Sequence, residues 1–293
     1  MEVARTGSIA AASQRVHVAG SAVSRQIAAL EQEIGMALFL RQPRGMVLTG
    51  AGEELASHVR RSILEEERVI SEIRTRGART VGTIRIATSQ GLASNFMSEA
   101  ARDYRQRSNG IFFSIRAQSP GDIIERIKQG EVDVGIAFAS GLHPGVAVKH
   151  RIIVPTCVIL SSSHPLASRK TLSLEEIRDY PVATSMRSTV RDMIDLRSAV
   201  AGIQLNVVFE CDYSDALFNY CSVGDAITFA TEISVWNWIS RGELVAVQFE
   251  NPMLFERNIE IQAMEGRTLP TYVEDWIEFL ASKLSGAINV RQP

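Results

Sequence analysis

Apolar residues near the N-terminus recur at the spacing of amphipathic helices. The segment GSAVSRQIAALEQEIG (20–35) has apolar residues four, three and four positions apart, which predicts a helix over 21–34 with one stripe in the core. The stripe consists of Val23, Ile27, Leu30 and Ile34. Upstream, residues 7–16 predict a second helix with Ser8 as its N-cap, and HVAG (17–20) predicts a turn. Two helices joined by such a turn form a helix-turn-helix unit.

The next two segments predict a β-hairpin and a long helix. MALFLRQPRGMVLT (36–49) places a Pro-Arg-Gly turn between apolar runs, which is typical of a hairpin or wing. Residues 53–76 contain neither Pro nor Gly and predict one continuous helix. A coiled-coil seam with one polar interruption runs along it: Ala56, Val59, Ile63, Glu66, Ile70 and Ile73. We favour a linker that also dimerises, and the alternative is an amphipathic helix packed on its own domain.

Strand and helix patterns alternate from residue 81 onward. The strands TIRIATS (83–89), IFFSIRAQ (111–118) and VDVGIAFA (132–139) enclose two helical segments, which is the βαβαβ order of a parallel sheet. A second run of this kind spans 181–249. Two such units predict an α/β protein with two lobes around a cleft. The final helix, 269–284, is expected to return and close one lobe.

Composition limits the class of protein without identifying its function. Apolar residues make up 45% and charged residues 22% of the 293 positions, as in a folded globular protein. No apolar run approaches the roughly 20 residues of a membrane-spanning helix, and the first residues lack a signal-peptide pattern. We therefore expect a cytoplasmic protein that does not insert into a membrane. Cys157, Cys211 and Cys221 have no CxxC spacing, which favours buried thiols over a disulfide or zinc site.

Charge is distributed unevenly along the chain. Residues 1–79 contain 11 Arg and 9 Glu but no Lys or Asp, whereas the remainder contains 20 basic and 24 acidic residues. Arginine presents a planar fork that matches phosphate and carboxylate groups. The first segment therefore suits phosphate or carboxylate recognition, although its positive excess is small.

Longer motifs resemble the LysR-type transcriptional regulators over essentially the whole chain. The most specific is SAVSRQI...LE...G..LF.R..RG..LT.AG, and others are GTIRIAT (82–88), IKQGEVDVGIAF (127–138), SSSHPLA (161–167) and VGDAITFA (223–230). The resemblance implies a winged helix-turn-helix head, a dimerising linker helix and a two-lobed effector-binding domain of the periplasmic-binding-protein type 2 fold. It also implies double-stranded promoter DNA and a small-molecule effector as partners, and a homodimer or homotetramer as the assembly. The expected divisions are 1–50, 51–79 and 80–293, with lobe I over about 80–153 and 257–285 and lobe II over about 154–256.

The predicted recognition helix carries polar side chains away from its apolar stripe. A helix-turn-helix places this helix in the major groove of DNA. Arg25 is the candidate for a bidentate guanine contact, which contributes roughly 1–3 kcal/mol of discrimination. The other candidates for base, phosphate or minor-groove contacts are Ser21, Ser24 and Gln26 in the helix and Arg41 and Arg44 in the wing. From spacing alone, solvated polar residues would give the same pattern.

Several positions in the head depart from the family's pattern. Ala10 and Ala19 stand where the family usually has a small hydroxyl residue that caps a helix, and Ala28 and Ala29 stand where it commonly has an arginine. Family members also begin with about a dozen further residues, which form an apolar helix. We therefore expect either a truncated representation of a longer protein or a weakened DNA binder whose helix-turn-helix is partly uncovered.

The ends of the predicted strands supply the candidates for effector binding. Ligands of such folds lie at the carboxyl ends of strands, where backbone N–H groups of the following helices converge. The candidates are Thr88, Ser89, Gln90 and Phe138 in lobe I, and Thr184, Ser185 and Thr231 in lobe II. These mostly neutral groups suit a small carboxylate or polar metabolite, although each hydroxyl is equally suited to capping a helix. Arg187 is the only nearby charge that we expect to pair with an acidic ligand.

Two other classes of protein share parts of this pattern. An enzyme on a two-lobed fold would need chemistry that the sequence does not display. We find no Gly-rich phosphate loop, HExxH, nucleophile elbow or paired-carboxylate motif, and we predict no catalytic residue, metal site or cofactor. A cytoplasmic solute-binding protein would account for the two lobes but not for the first 79 residues. The sequence therefore favours a DNA-binding regulator controlled by an effector.

Overall fold

The chain folds into two compact units, Met1–Ile70 and Ser71–Pro293. The computed structural model describes residues 1–43, 45–75, 82–139, 141–186 and 188–289. Two predicted site residues, Arg44 and Arg187, lie outside the described residues, as does the expected boundary at 79.

The first unit contains the predicted helix-turn-helix and hairpin. Its elements are α1 Glu2–Thr6, α2 Ile9–Val16, α3 Gly20–Ile34, β1 Phe39–Gln42, β2 Gly45–Leu48 and the start of α4 Gly50–Thr75. Ser8 caps α2 as predicted, because its side chain accepts a hydrogen bond from the backbone N–H of Ala11. Gly35 ends α3 in the left-handed conformation (φ 76°) that glycine adopts without strain. His17 closes α2 with a φ of 54° and forms the turn of the unit.

The prediction that the whole apolar stripe of α3 lies in the core is wrong for its second half. Leu30 and Ile34 are 42% and 41% exposed, while Val23 and Ile27 are half-buried. The partner helix α2 has 8 residues against the 15 of α3, so it is only long enough to cover part of that stripe. The buried apolar residues of the head are Val3, Ala12 and Leu38.

A long helix leads out of the hairpin. Thr49 precedes α4, and its hydroxyl accepts a hydrogen bond from the backbone N–H of Gly52 at 3.0 Å. Along the predicted seam, Ala56 is buried, whereas Ile63, Ile70 and Ile73 are 45%, 41% and 62% exposed. Within the single chain, the later part of this seam therefore remains open to solvent.

The second unit begins with alternating strands and helices. Its elements up to the first crossover are β3 Gly82–Thr88, α5 Gln90–Leu92, α6 Ser98–Arg107, β4 Ile111–Ala117, α7 Pro120–Lys128, β5 Val134–Phe138 and β6 Val146–Pro155. The first of the two helical segments predicted between these strands is interrupted by a π-helical turn at Ala93–Met97, which joins α5 to α6. Such turns insert one residue into the helical ladder and are frequent at functional sites.

The remaining elements build the second lobe and return to the first. They are β7 Cys157–Ser161, β8 Thr171–Leu172, α8 Leu174–Ile177, β9 Pro181–Thr184, α9 Thr189–Ala201, β10 Asn206–Glu210, α10 Ser214–Ser222, β11 Thr228–Ala230, α11 Glu232–Ser240, β12 Leu244–Phe249, a 3-10 turn Pro252–Phe255, β13 Glu256–Met264 and α12 Thr271–Asn289. The second run of strands and helices predicted over 181–249 and the final helix predicted over 269–284 are both present.

Both lobes have mixed sheets rather than the purely parallel ones that the βαβαβ order predicted. The sheet of lobe I has the order β4-β3-β5-β13-β6, in which β3, β4 and β5 are parallel and β13 runs antiparallel to both neighbours. In lobe II, β11-β7-β12-β8 form one sheet, and β10-β9 join it through a bridge between Val182 and Ile227. The antiparallel strands are those that carry the chain between the lobes.

The two crossings between the lobes lie side by side. The chain leaves lobe I between β6 and β7 at Thr156 and returns between the 3-10 turn and β13 at Phe255, and the N–H of Thr156 donates to the carbonyl of Phe255 at 2.9 Å. Helix α11 packs against both lobes, because Ile233 belongs to the hydrophobic core of lobe I and Val235 to that of lobe II.

Candidate DNA-binding surface and effector cleft

The predicted DNA-contacting residues cluster on the surface of the head. Ser21, Arg25 and Gln26 are exposed on α3, and Arg41 is exposed on β1. The guanidinium of Arg41 lies 3.5 Å from the hydroxyl of Ser24, which is half-buried. The structure therefore brings the hairpin strand and the recognition helix together at this point.

Glu31, which the sequence analysis did not single out, fixes the hairpin to the recognition helix. Its carboxylate Oε1 accepts hydrogen bonds from the backbone N–H groups of Leu38 at 2.7 Å and Phe39 at 3.0 Å. Hydrogen bonds from backbone N–H groups to a carboxylate are stronger than neutral ones. Glu31 thus sets the position of β1, and with it Arg41, relative to α3. The spacing between Glu31 and Leu38 follows no local motif that would have predicted this contact.

A cleft of about 700 Å³ lies between the two lobes of the second unit. Five predicted effector residues line it: Ser89, Gln90 and Phe138 from lobe I, and Ser185 and Thr231 from lobe II. Thr88 and Thr184 do not line it, because they occupy the last strand positions and are buried at 0% and 6% exposure. The N-terminal residues of α7, α9, α10 and α11 also face the cleft.

Hydroxyl groups around the cleft differ in how their hydrogen bonds are satisfied. Ser188 accepts from the N–H of Arg191 and so caps α9, and the hydroxyl of Ser185 donates to it. The hydroxyls of Thr231 and Ser234 bond to each other at 2.9 Å. The buried hydroxyl of Ser89 has no hydrogen-bond partner in the described part of the chain.

Polar side chains also tie the lobes together beside the cleft. Gln90 accepts from the N–H of Ser214 at 3.0 Å. Asn95, in the π-helical turn, donates to the carbonyl of Ser234 at 2.8 Å and accepts from the N–H of Asn237 at 3.0 Å. Asn95 is 2% exposed, so these bonds are shielded from water. The irregular turn that the sequence did not predict thus holds lobe I against α11.

The expectation that Arg187 is the only cation near the cleft is wrong, because Arg257 lines it. Arg257 lies near the start of β13, and that strand pairs antiparallel with β5 through Ile259 and Phe138. This pairing puts the first residues of β13 at the carboxyl end of β5, where sequence reasoning looked only for residues that follow strands. The guanidinium lies 3.7 Å from the ring centre of Phe138 and donates to Thr189 Oγ1. Burial lowers its pKa to about 9.

Two family models match the sequence of the chain. Residues 1–53 match the bacterial regulatory helix-turn-helix protein model of the lysR family, and residues 77–285 match the LysR substrate binding domain. The chain belongs to the LysR family. It is a LysR-type transcriptional regulator with a DNA-binding head and an effector-binding domain.

Relatives of this LysR-family regulator align with it over most of their own length. The regulator SsuR of Burkholderia cenocepacia is 27% identical over 282 residues, which cover 93% of this chain and 89% of SsuR. The crystal structure of ArgP from Mycobacterium tuberculosis is 18% identical with a TM-score of 0.70, covering 97% of this chain and 94% of ArgP. The effector domain of QuiR in complex with shikimate is 18% identical with a TM-score of 0.58 and covers 69% of this chain and 97% of that chain.

These relatives are transcriptional regulators or share their fold, and the fold supports the two-lobed prediction. In the part of the LysR-family regulator that the structure describes, no helix has the length and apolar character needed to cross a bilayer.

Proposed function

We propose that Ser21, Ser24, Arg25 and Gln26 contact operator bases or adjacent phosphates, and that Arg41 contacts the DNA backbone from the hairpin. The supporting observation is the exposure of Arg25 and Arg41 on one small unit whose hairpin meets α3 at Ser24. An exposed arginine at the start of a recognition helix can form a bidentate contact with guanine. Arg41 is placed to hold a phosphate and fix the register of the helix.

We propose further that the cleft between the lobes is the effector site. The observation that carries this proposal is the convergence of Ser89, Gln90, Phe138, Ser185 and Thr231, drawn from both lobes, on one cavity. The volume falls in the ordinary range for small-molecule sites. The complex of QuiR with shikimate gives a precedent for a small ligand in a domain of this fold. An effector that fits one relative arrangement of the lobes best shifts the population toward it, and DNA binding changes accordingly.

The assembly that we propose is a homodimer or homotetramer formed through α4. Its support is the apolar seam of Ile63, Ile70 and Ile73, which the single chain leaves exposed. Because promoter DNA is the partner, we place the protein in the cytoplasm. We assign it no catalytic role, in keeping with relatives that are regulators.

A salt titration tests the role of Arg41 in the proposed DNA surface. Each phosphate contact contributes about one unit to the slope of log affinity against log salt concentration. Fluorescence anisotropy with a random-sequence duplex should show that Arg41→Ala weakens binding and reduces this slope by about one. Arg178→Ala, which removes an exposed arginine from the second unit, is the control and should bind as the wild type does. An unchanged slope for Arg41→Ala would remove Arg41 from the interface.

A further inference from the structure

Arg257 carries a charge in the cleft that no carboxylate among the described residues neutralises. Its guanidinium has one hydroxyl partner, Thr189, and one aromatic face, Phe138. Among the described residues, no carboxylate forms an ion pair with it, and burial, the sole cause of its lowered pKa, is not offset by a nearby negative charge. Arg257 is half-buried, and a cation partly withdrawn from water is stabilised by a counter-charge and by hydrogen-bond acceptors. The protein gives Arg257 one hydroxyl acceptor and, among the described residues, no counter-charge. A ligand bound in the cleft can supply the counter-charge and further acceptors.

The position of Arg257 couples an occupant of the cleft to both lobes. Arg257 belongs to β13, a strand of the sheet of lobe I, while Thr189 is the first residue of α9 in lobe II. The bond between them therefore crosses the cleft. A ligand group that engages the guanidinium also acts on this crossing bond, so its binding changes the contact that holds the lobes.

Two carboxylates on the cleft wall limit how much negative charge an occupant carries. Asp122 and Asp212 both line the cavity and are exposed. Asp122 accepts from the hydroxyl of Ser119 at 2.7 Å, and Asp212 accepts from the N–H of Met186 at 3.1 Å. Among the described residues, neither carboxylate forms an ion pair with a cation. A second negative group on the ligand would be repelled by these carboxylates. One anionic group is favoured over two.

The rest of the lining combines hydroxyl and amide side chains with an apolar part. It includes Ile123, Val190, Leu217, Phe218 and Phe229, together with the Phe138 ring that stacks on Arg257. Side chains of this kind bind aromatic or branched aliphatic groups through burial of apolar surface.

We propose that the effector is a monocarboxylate with an aromatic or branched aliphatic body, whose carboxylate binds Arg257 and whose body packs on the apolar wall. This inference rests on the proposed function of the cleft and specifies its ligand class. The carboxylate forms charge-assisted, bidentate hydrogen bonds with the guanidinium, in which both oxygens accept N–H donors.

Isothermal titration calorimetry on the full chain tests the proposal with matched probes. The probes are benzoate, its neutral analogue benzamide, its dianionic analogue phthalate, and the aliphatic acids cyclohexanecarboxylate and 3-methylbutanoate. The wild type should bind at least one of the three monocarboxylates about tenfold or more tightly than benzamide and phthalate. Arg257→Gln should lose about tenfold or more of that affinity. Arg257→Lys, which keeps the charge but not the fork, should fall between the two.

The control and the contradicting outcomes separate this proposal from the function of the cleft. Arg178→Gln removes an exposed arginine outside the cleft and should bind the acids as the wild type does. If Arg257→Gln does not fold, the affinity of Arg257→Lys and the comparison of benzoate with benzamide in the wild type still test whether Arg257 binds a carboxylate. Benzamide binding as tightly as benzoate would overturn the ligand class while leaving the cleft as the effector site. Absence of binding by all three monocarboxylates, or equal binding by wild type and Arg257→Gln, would also overturn it.

Discussion

Arg257 illustrates which residues of a site can be found from the sequence and which cannot. Ser89 and Thr231 were predicted because each follows a strand and precedes a helix, a local pattern that places them at the cleft. Arg257 is the second residue of β13 and lies at the cleft only because β13 runs antiparallel beside β5. That pairing is set by tertiary packing, so no local pattern contains it. Thr88 and Thr184 stand one residue earlier, at the ends of their strands, where they are buried and do not line the cleft.

His164 provides a residue-scale prediction about pH. It is 5% exposed, its Nδ1 accepts from the N–H of Leu166, and its Nε2 lies 3.1 Å from the carbonyl oxygen of Asp225. Desolvation lowers the pKa of His164, and Asp225 offsets this only in part. Because the folded state resists protonation, its stabilising contribution is present above the unfolded pKa of about 6.5 and is lost as pH falls toward the folded pKa.

Urea unfolding from pH 8 to pH 5 measures this effect. The free energy of unfolding of the wild type should decrease over that range more steeply than that of His164→Gln, which has no titrating group at the position. Parallel profiles for the two proteins would show that His164 does not contribute to the pH dependence.

At the scale of elements, features set by local sequence were predicted correctly, whereas features that depend on tertiary packing were missed. The ends of α2 and α3 were predicted because Ser8 and Gly35 act on the adjacent turn. The π-helical turn at Ala93–Met97 was not predicted, because it is stabilised by contacts of Asn95 with α11, far away in the sequence. The mixed sheets were missed for the same reason, since strand direction depends on partners distant in the chain.

The hydrogen bonds that attach the hairpin to α3 give a direct prediction about the stability of the head. Glu31→Ala removes the acceptor of two backbone N–H groups, and the free energy of unfolding of the head should fall by about 1–3 kcal/mol. Because Arg41 then loses its fixed position, DNA affinity should fall as well. Glu31→Gln keeps an acceptor oxygen and should be affected less. Anisotropy and thermal unfolding of the two variants check this, and equal behaviour of Glu31→Ala and wild type would contradict it.

At the scale of the whole molecule, the head and the effector domain are separate compact units joined through a long helix. The exposed seam of that helix supplies a surface for pairing two copies. In a two-fold assembly, two recognition helices would meet two half-sites related by the same symmetry. We propose that the spacing of those half-sites depends on how the effector domains are arranged, and that a ligand in the cleft changes the DNA complex through this arrangement.

Selection of binding sites from a pool of random-sequence duplexes tests this account most directly. The wild-type chain should enrich inverted repeats whose half-sites are separated by whole turns of about 10.5 base pairs. Arg25→Ala should still bind duplex DNA but lose the preference for one guanine in each half-site. Enrichment of the same sequences by wild type and Arg25→Ala would contradict the proposed role of Arg25. If selection by the wild type enriched no common sequence in the pool, the account as a whole would be contradicted.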